Sequence, residues 1–230
     1  MKYRLLIKSV YYSLLFLFSL SSVSAQHYFR VKADFSFKVK GNETKSLVMG
    51  TVYFDKNEKK IVYNIRFPHK QTWVMHDTSM YLFENNKLKE RSFMPSPVEA
   101  SLFNLILNSS INNFGLEKSP YKLQKVEKDK GMLIGTWTPP KMKGDESMGD
   151  ILIANQDGKL KGVVFKNKKG KVISKQFYEN YQLVKGLNFP SQLTHIIFHD
   201  DGTESYQITN YKNIRIDEKG EDNWYRYKLH

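Results

Sequence analysis

Two histidines have the spacing that most directly suggests chemistry. His195 and His199 lie four residues apart in LTHIIFHDDG, and on one face of a helix that spacing can hold a metal ion. The segment instead has the composition of a β-strand. Strand residues four apart share a face but lie roughly 13 Å from each other, too far to bind one ion. We therefore interpret both as surface or turn histidines.

The other groups capable of catalysis are scattered along the chain. His69 and His76 flank strand ends, and Asp200, Asp201 and Glu204 belong to an ordinary hairpin turn. The sequence contains no G-x-S-x-G elbow, no H-E-x-x-H motif and no glycine-rich phosphate loop. It also contains no cysteine, which excludes disulfides, thiolate metal sites and a catalytic thiol. We expect no enzymatic activity, no metal and no cofactor.

The amino terminus has the three-part pattern of a secretory signal peptide. Lys2, Arg4 and Lys8 precede an apolar run over 10–20, and small residues lead to Ala25. A membrane anchor is the alternative, but the run is shorter than the roughly 20 apolar residues needed to span a bilayer. The sequence therefore predicts a signal peptide at 1–25 that is cleaved after Ala25.

Residues 26–230 are expected to form one soluble domain. The chain is 40% hydrophobic and 14% aromatic, which suffices for a full-sized core. No internal repeat, low-complexity linker or later apolar run of spanning length interrupts it. Without cysteine, the mature protein cannot be a lipoprotein itself. An exported, cysteine-free protein fits the bacterial periplasm better than the extracellular medium.

The chain is basic, with a formal net charge of +13 that falls to +10 without the signal peptide. Four lysines cluster at one hairpin tip: Lys166, Lys168, Lys169 and Lys171. Such a tip could attract anionic lipid head groups or an acidic partner. It could equally be a solvated hairpin whose lysines prevent pairing between sheet edges. Nucleic acid is a poor candidate partner for an exported protein.

Short strands separated by turns dominate the mature chain. In the segment 49–68, Ile61, Tyr63 and Ile65 alternate with Val62 and Asn64, which is typical of a half-buried strand in a hairpin. Similar hairpins recur to the end of the chain, with Asp-Gly turns as the strongest cue. We predict a strongly curved antiparallel sheet of roughly ten strands, a sandwich or barrel.

One segment, SPVEASLFNLILNSSINNFG, departs from the strand pattern. Ser96 and Glu99 form a capping box around Pro97, and the helix is expected to stop at Phe114-Gly115. Its apolar stripe comprises Val98, Leu102, Leu105 and Ile106, widened by Phe103 and Leu107. A helix apolar on nearly all sides must be buried. We therefore expect it to plug the sheet or cover its open end.

The order of these elements resembles the LolA-type outer-membrane lipoprotein carriers and their LolB-like relatives. The matching segments are ADFSF, GTVYF…YNIRFP and WVMHDTSMYLF, followed by the apolar helix, with Gly50, Pro68 and the Asp77 turn in the family's places. Two features differ. The usual helix before the first strand is missing, and FDKNEKK replaces the Arg-Pro that helps to hold the family's lid closed, with Lys56 nearest the arginine position.

The resemblance implies a periplasmic antiparallel half-barrel with a helical lid over a hydrophobic cavity. Its function would be to carry acyl chains of lipoproteins, or a related lipid, to the outer membrane. Its partners would be an inner-membrane release complex and an outer-membrane acceptor, with the carrier itself a monomer. The candidate ligand-binding residues are Phe35, Phe37, Ile61, Tyr63, Ile65, Trp73, Met75, Leu102, Leu105 and Ile106. Two alternatives stay open: these residues form a packed core, or the protein is a non-enzymatic interaction or sensor module of the same fold.

Overall fold

The computed structural model describes residues 27–41, 45–94, 97–140 and 149–229. The predicted signal peptide with its cleavage site at Ala25 lies outside these ranges. So does Ser96, the first residue of the predicted capping box.

One antiparallel sheet contains thirteen strands in the described part of the chain, against the roughly ten expected. The strands are β1 (Arg30–Lys40), β2 (Lys45–Asp55), β3 (Lys60–Phe67), β4 (Gln71–His76), β5 (Ser79–Glu84), β6 (Lys87–Phe93), β7 (Lys122–Asp129), β8 (Met132–Thr138), β9 (Ile151–Gln156), β10 (Lys159–Lys166), β11 (Val172–Val184), β12 (Leu187–Phe198) and β13 (Glu204–Ile216). The predicted mainly-β, antiparallel class is confirmed.

The strand order follows the chain except at one junction. The sheet runs β6-β5-β4-β3-β2-β1-β13-β12-β11-β10-β9-β8-β7, so β1 joins the last strand to the first half of the sheet. The β1–β13 pairing extends from Val31 opposite Ile216 to Lys40 opposite Tyr206. It brings the first and last strands together and leaves β6 and β7 as the outer strands of an open, curved sheet.

The turns follow the local sequence cues. The β2–β3 hairpin pairs Asp55 with Lys60, and β9 and β10 meet at Asp157-Gly158, where both residues have positive φ. Asn85 and Asn86 also have positive φ, at 51° and 58°. Two successive left-handed residues are typical of the tight hairpin turns that match strand twist.

A close backbone approach explains one glycine in the β2 strand. The β2–β3 register shifts between Met49 and Gly50. A Cβ built on Gly50 would lie 2.1 Å from the carbonyl oxygen of Asn64. Only glycine therefore fits this irregularity between the strands.

The predicted continuous helix is divided into shorter pieces. Val98–Ala100 forms a 3-10 turn, Ser101 is extended, and helix α1 comprises Leu102–Leu107. The expectation that the helix continues to Phe114-Gly115 was wrong. Ser101 provides the observed N-cap, because its hydroxyl accepts the Asn104 N–H at 3.4 Å. Pro97 is extended rather than helical.

The outer face of the sheet carries a second core that the sequence reading missed. Helix α2 (Asp222–Tyr225) lies near β2 and β3. Its cluster consists of Tyr53, Val62, Val74, Phe83 and Tyr225, with Tyr81, Trp224, Tyr227 and Leu229 packed against it. Strand β3, predicted to be half-buried, is therefore buried on both faces over much of its length.

Ion pairs attach the α2 region to the sheet. Arg30 Nε lies 2.7 Å from Asp55 Oδ2, which is almost fully buried, and Arg30 also pairs with Asp222 at 2.5 Å. Arg30 stacks over the Tyr225 ring, 4.6 Å from its centroid. None of the helices in the described ranges has the length and apolar character needed to cross a membrane.

Candidate ligand cavity

A cavity of about 440 Å³ lies between the inner face of the sheet and the segment leading into α1. This volume is within the roughly 300–1,000 Å³ typical of small-molecule sites. The lining residues are Phe35, Phe37, Val48, Ile61, Tyr63, Trp73, Met75, Met94, Pro97, Val98, Ser101, Leu102, Phe103, Leu193, Thr209 and Tyr211. No charged side chain is among them.

Strand register explains why residues far apart in sequence share this wall. Phe37 lies opposite Val48 on one side and Thr209 on the other, and Thr209 lies opposite Leu193. Directly paired residues of antiparallel strands point to the same face. One row across four strands therefore faces the cavity. A neighbouring row contains Phe35, which lies opposite Tyr211.

Strands β3 and β4 supply the next part of the wall. Tyr63 lies opposite Trp73, and Ile61 lies opposite Met75. The Tyr63 ring contacts Phe35 edge to face, with centroids 5.1 Å apart. Alternation within two adjacent hairpins thus produces a continuous aromatic and aliphatic surface.

The cavity is covered by the segment that contains Pro97 and Val98 and by helix α1. Val98 is buried, and its N–H donates to the carbonyl oxygen of Asp77 at 3.2 Å. Phe103 on α1 stacks with Phe54 at 5.9 Å between centroids and contacts the Tyr211 ring edge to face at 5.5 Å. Pro97, which also lines the cavity, is exposed.

Seven of the ten predicted site residues line this cavity: Phe35, Phe37, Ile61, Tyr63, Trp73, Met75 and Leu102. The other three, Ile65, Leu105 and Ile106, are buried in the adjoining core. Whether any of the ten contacts a guest stays a prediction. Leu193, Thr209 and Tyr211 were not identified as candidate site residues from the sequence. Their position in the cavity wall depends on the β1–β13 pairing, which cannot be predicted from a local sequence pattern.

Two tyrosines, Tyr63 and Tyr211, line the cavity, and burial shifts the pKa of each. Burial raises the pKa of Tyr63 to about 12. Burial also raises the pKa of Tyr211 well above its usual value, with smaller contributions from Tyr63 and Tyr178. Both groups are therefore neutral hydrogen-bond donors over the whole physiological pH range.

A polar row follows the apolar row on the same face of the sheet. Gln176 lies opposite His195, which lies opposite Gln207. Burial lowers the pKa of His195, and its hydrogen bond with Gln207 opposes this shift. His195 is thus half-buried rather than a surface residue, whereas His199 lies in the turn, hydrogen-bonded to Ser205 Oγ at 2.7 Å. Across the described ranges, no three His, Asp or Glu residues are placed to hold a metal ion.

Comparison with solved structures confirms the resemblance at the level of the fold. A DUF1329 family protein from Desulfovibrio piger matches with a TM-score of 0.60 and 15% identity over 87% of this chain and 90% of that chain. A LolA superfamily protein from Nitrosomonas europaea gives 0.56 and 12% over 86% and 90%. A proposed outer membrane lipoprotein-sorting protein domain from Vibrio parahaemolyticus gives 0.57 and 14% over 85% and 89%.

No protein-family model matches the chain, and no curated protein matches it in sequence. The relationship therefore rests on structure: the chain has the LolA-like fold, at a sequence identity too low to transfer a function.

Proposed function

We propose that this protein is a periplasmic carrier that binds the acyl chains of lipoproteins, or of a related lipid, for transport to the outer membrane. The observation that supports this function best is the uncharged cavity of about 440 Å³ beneath the α1 segment. The proposed outer membrane lipoprotein-sorting domain with the same fold supports the choice of guest. The predicted signal peptide supports the compartment.

The chemistry of the wall suits an acyl chain. Hydrocarbon needs no directional contact, and each buried methylene contributes about 0.8 kcal/mol to binding. Aromatic and aliphatic side chains from six strands supply this contact. Met75 and Met94 add flexible thioethers, which adapt to guests of different shape.

A carrier of this kind must collect and release its guest at membranes. The corresponding partners would be an inner-membrane release complex and an outer-membrane acceptor, and the carrier would act as a monomer. The lysine-rich tip at Lys168 and Lys169 is exposed and would favour approach to anionic head groups. Lys56, which replaces the family's arginine, would hold the lid differently, because an ammonium cannot form the planar two-pronged contacts of a guanidinium.

Binding by a cavity-wall variant tests the proposal. Phe37→Glu introduces a carboxylate on a half-buried wall residue. Because that charge must be desolvated or draw water into the cavity, we expect retention of a fluorescent fatty-acid ester to fall at least about tenfold, with only a small fall in thermal midpoint. Leu183→Glu is the matched control, because Leu183 is 74% exposed and should change neither quantity.

Native mass spectrometry of protein purified from its own envelope provides the second measurement. Co-purified lipid or lipoprotein, lost in Phe37→Glu and kept in Leu183→Glu, is the expected result. A wild-type protein that carries no lipid and binds no ester would contradict the carrier function. The remaining candidate would then be a non-enzymatic interaction or sensor module.

A further inference from the structure

The hydroxyls of Tyr63 and Tyr211 differ in their partners from those of two other tyrosines in the sheet. Within the described part of the chain, neither donates to or accepts from a protein group, although Tyr211 is 94% buried. Two tyrosines elsewhere in the sheet provide the contrast. The Tyr178 hydroxyl donates to Gln176 Oε1 at 2.6 Å, and the Tyr181 hydroxyl donates to the carbonyl oxygen of Leu160 at 2.6 Å.

Among the described residues, the fully buried side-chain polar atoms without a partner include neither of these hydroxyls. Because both residues line the cavity, each hydroxyl reaches cavity space where a guest can meet it, although Tyr211 also belongs to the adjoining core. An unpaired donor that faces a ligand cavity is best explained by an acceptor on the ligand.

The two tyrosine side chains lie in the same part of the cavity. Phe35 is the register partner of Tyr211 and contacts the Tyr63 ring edge to face. The two tyrosines therefore flank one phenylalanine. They are also close enough for Tyr63 to contribute to the raised pKa of Tyr211. One oxygen atom with two lone pairs can accept from donors on both sides.

We propose that Tyr63 and Tyr211 bind the carbonyl oxygen of a neutral ester or amide at the head of an acyl chain. This inference rests on the proposed carrier function and adds to it a requirement on the guest. The lining contains no cation, so a carboxylate would be desolvated without a counter-charge. The cavity therefore selects acyl esters and amides over free fatty-acid anions and over plain hydrocarbon.

Displacement of diphenylhexatriene, a fluorescent hydrocarbon without hydrogen-bonding groups, tests this selection. Methyl palmitate, hexadecane and sodium palmitate at pH 8 are the competitors, delivered from cyclodextrin. For the wild type, we expect methyl palmitate to compete best. In Tyr211→Phe and Tyr63→Phe, displacement by methyl palmitate should weaken about three- to tenfold, the contribution of one hydrogen bond. Displacement by hexadecane should not change.

Thermal midpoints separate a contact with the guest from a structural role. Tyr211→Phe should leave the midpoint of the empty protein unchanged or raise it, because it removes an unpaired hydroxyl. Tyr181→Phe is the matched control, because its hydroxyl has a protein partner. It should lower the midpoint and leave methyl palmitate binding unchanged.

The failure of the inference differs from the failure of the function. If both tyrosine variants bind methyl palmitate as the wild type does, or if palmitate competes as well as its methyl ester, the carbonyl contact is wrong while the carrier function stands. If the wild type binds none of the probes, the carrier function itself fails.

Two sources can supply the same carbonyl chemistry. A diacylated lipopeptide and dipalmitoyl phosphatidylglycerol in the same assay distinguish them, because the natural source should displace the probe at lower concentration. Tyr211→Phe must weaken whichever of the two competes, and an unchanged displacement would overturn the inference.

Discussion

Ile61 belongs both to the cavity wall and to the packed core, since it lines the cavity but is only 3% exposed. We expect Ile61→Glu to reduce ester binding and also to lower the free energy of unfolding by about 3 kcal/mol or more, because the carboxylate is buried without a partner. Chemical denaturation measures the second effect. Ile173→Glu on β11 is the control, because Ile173 is 37% exposed.

An unchanged stability of Ile61→Glu would contradict this expectation. It would mean that the cavity admits water beside Ile61, and that this side chain belongs to the cavity wall and not to the packed core. Phe37, which is more exposed, is for this reason the better position for separating binding from folding.

Where one hairpin decides the face, alternation in the sequence selects residues that the structure places along the cavity. Tyr63, Trp73 and Met75 follow from alternation in β3 and β4, since successive side chains of a strand point to opposite faces. The same rule applies to Thr209 and Tyr211 in β13. Which of its faces is the inner one, however, depends on pairing with a strand more than 170 residues earlier. Periodicity contains no information about that partner.

At the level of elements, the α1 segment combines two roles in adjacent residues. Both Leu102 and Phe103 line the cavity. Phe103 is buried and contacts the Phe54, Phe189 and Tyr211 rings, whereas Leu102 is only half-buried. We expect Phe103→Ala to cost about 3–5 kcal/mol of unfolding free energy. Leu102→Ala should cost much less, because the lost side chain borders a space that already exists, and should weaken acyl binding.

Urea denaturation and ester binding of both variants provide the measurement. Equal losses of stability in the two variants would contradict this division, in which Phe103 anchors α1 and Leu102 is mainly a residue of the cavity wall. If the division holds, Phe103 anchors α1 to the sheet, and Leu102 provides its contact with a guest.

The helix shows why local patterns locate an element better than they define its ends. The apolar stripe correctly placed a buried helical segment across the sheet. The extended conformation of Ser101, however, begins a new cap after the first turn. Ser96 and Ser101 each stand three residues before a polar residue, Glu99 and Asn104, so the sequence offers two candidate caps. In the described part of the chain, Ser101 caps α1.

For the whole molecule, the mainly-β curved sheet was predictable because its hairpins are local. The outer core was not. Val62 and Val74 on the outer face are covered by Trp224, Tyr225 and Tyr227, from a short and mostly polar C-terminal stretch without a clear period. A few aromatic residues without regular spacing do not predict a buried helix from sequence. In the structure, ion pairs and stacked rings nevertheless attach this segment to the sheet.

The buried tyrosines predict a specific loss of stability in alkali. Burial raises the pKa of Tyr63 to about 12, and burial with the Glu221 charge raises the pKa of Tyr225 to about 12. Their usual value is 10.0, so the folded state holds protons that the unfolded state releases. Stability is therefore complete below pH 10 and falls as the pH rises from 10 towards 12.

Urea midpoints and phenolate absorbance across this range measure the effect. The double variant Tyr63→Phe/Tyr211→Phe removes two of the phenols and should show a shallower decline above pH 10. Tyr206→Phe is the comparison: a hydrogen bond to Glu204 raises the pKa of Tyr206, but its side chain is exposed, so its removal should flatten the decline less. A double variant as sensitive to alkali as the wild type would mean that these two hydroxyls reach bulk water, and that the cavity they line is wet rather than apolar.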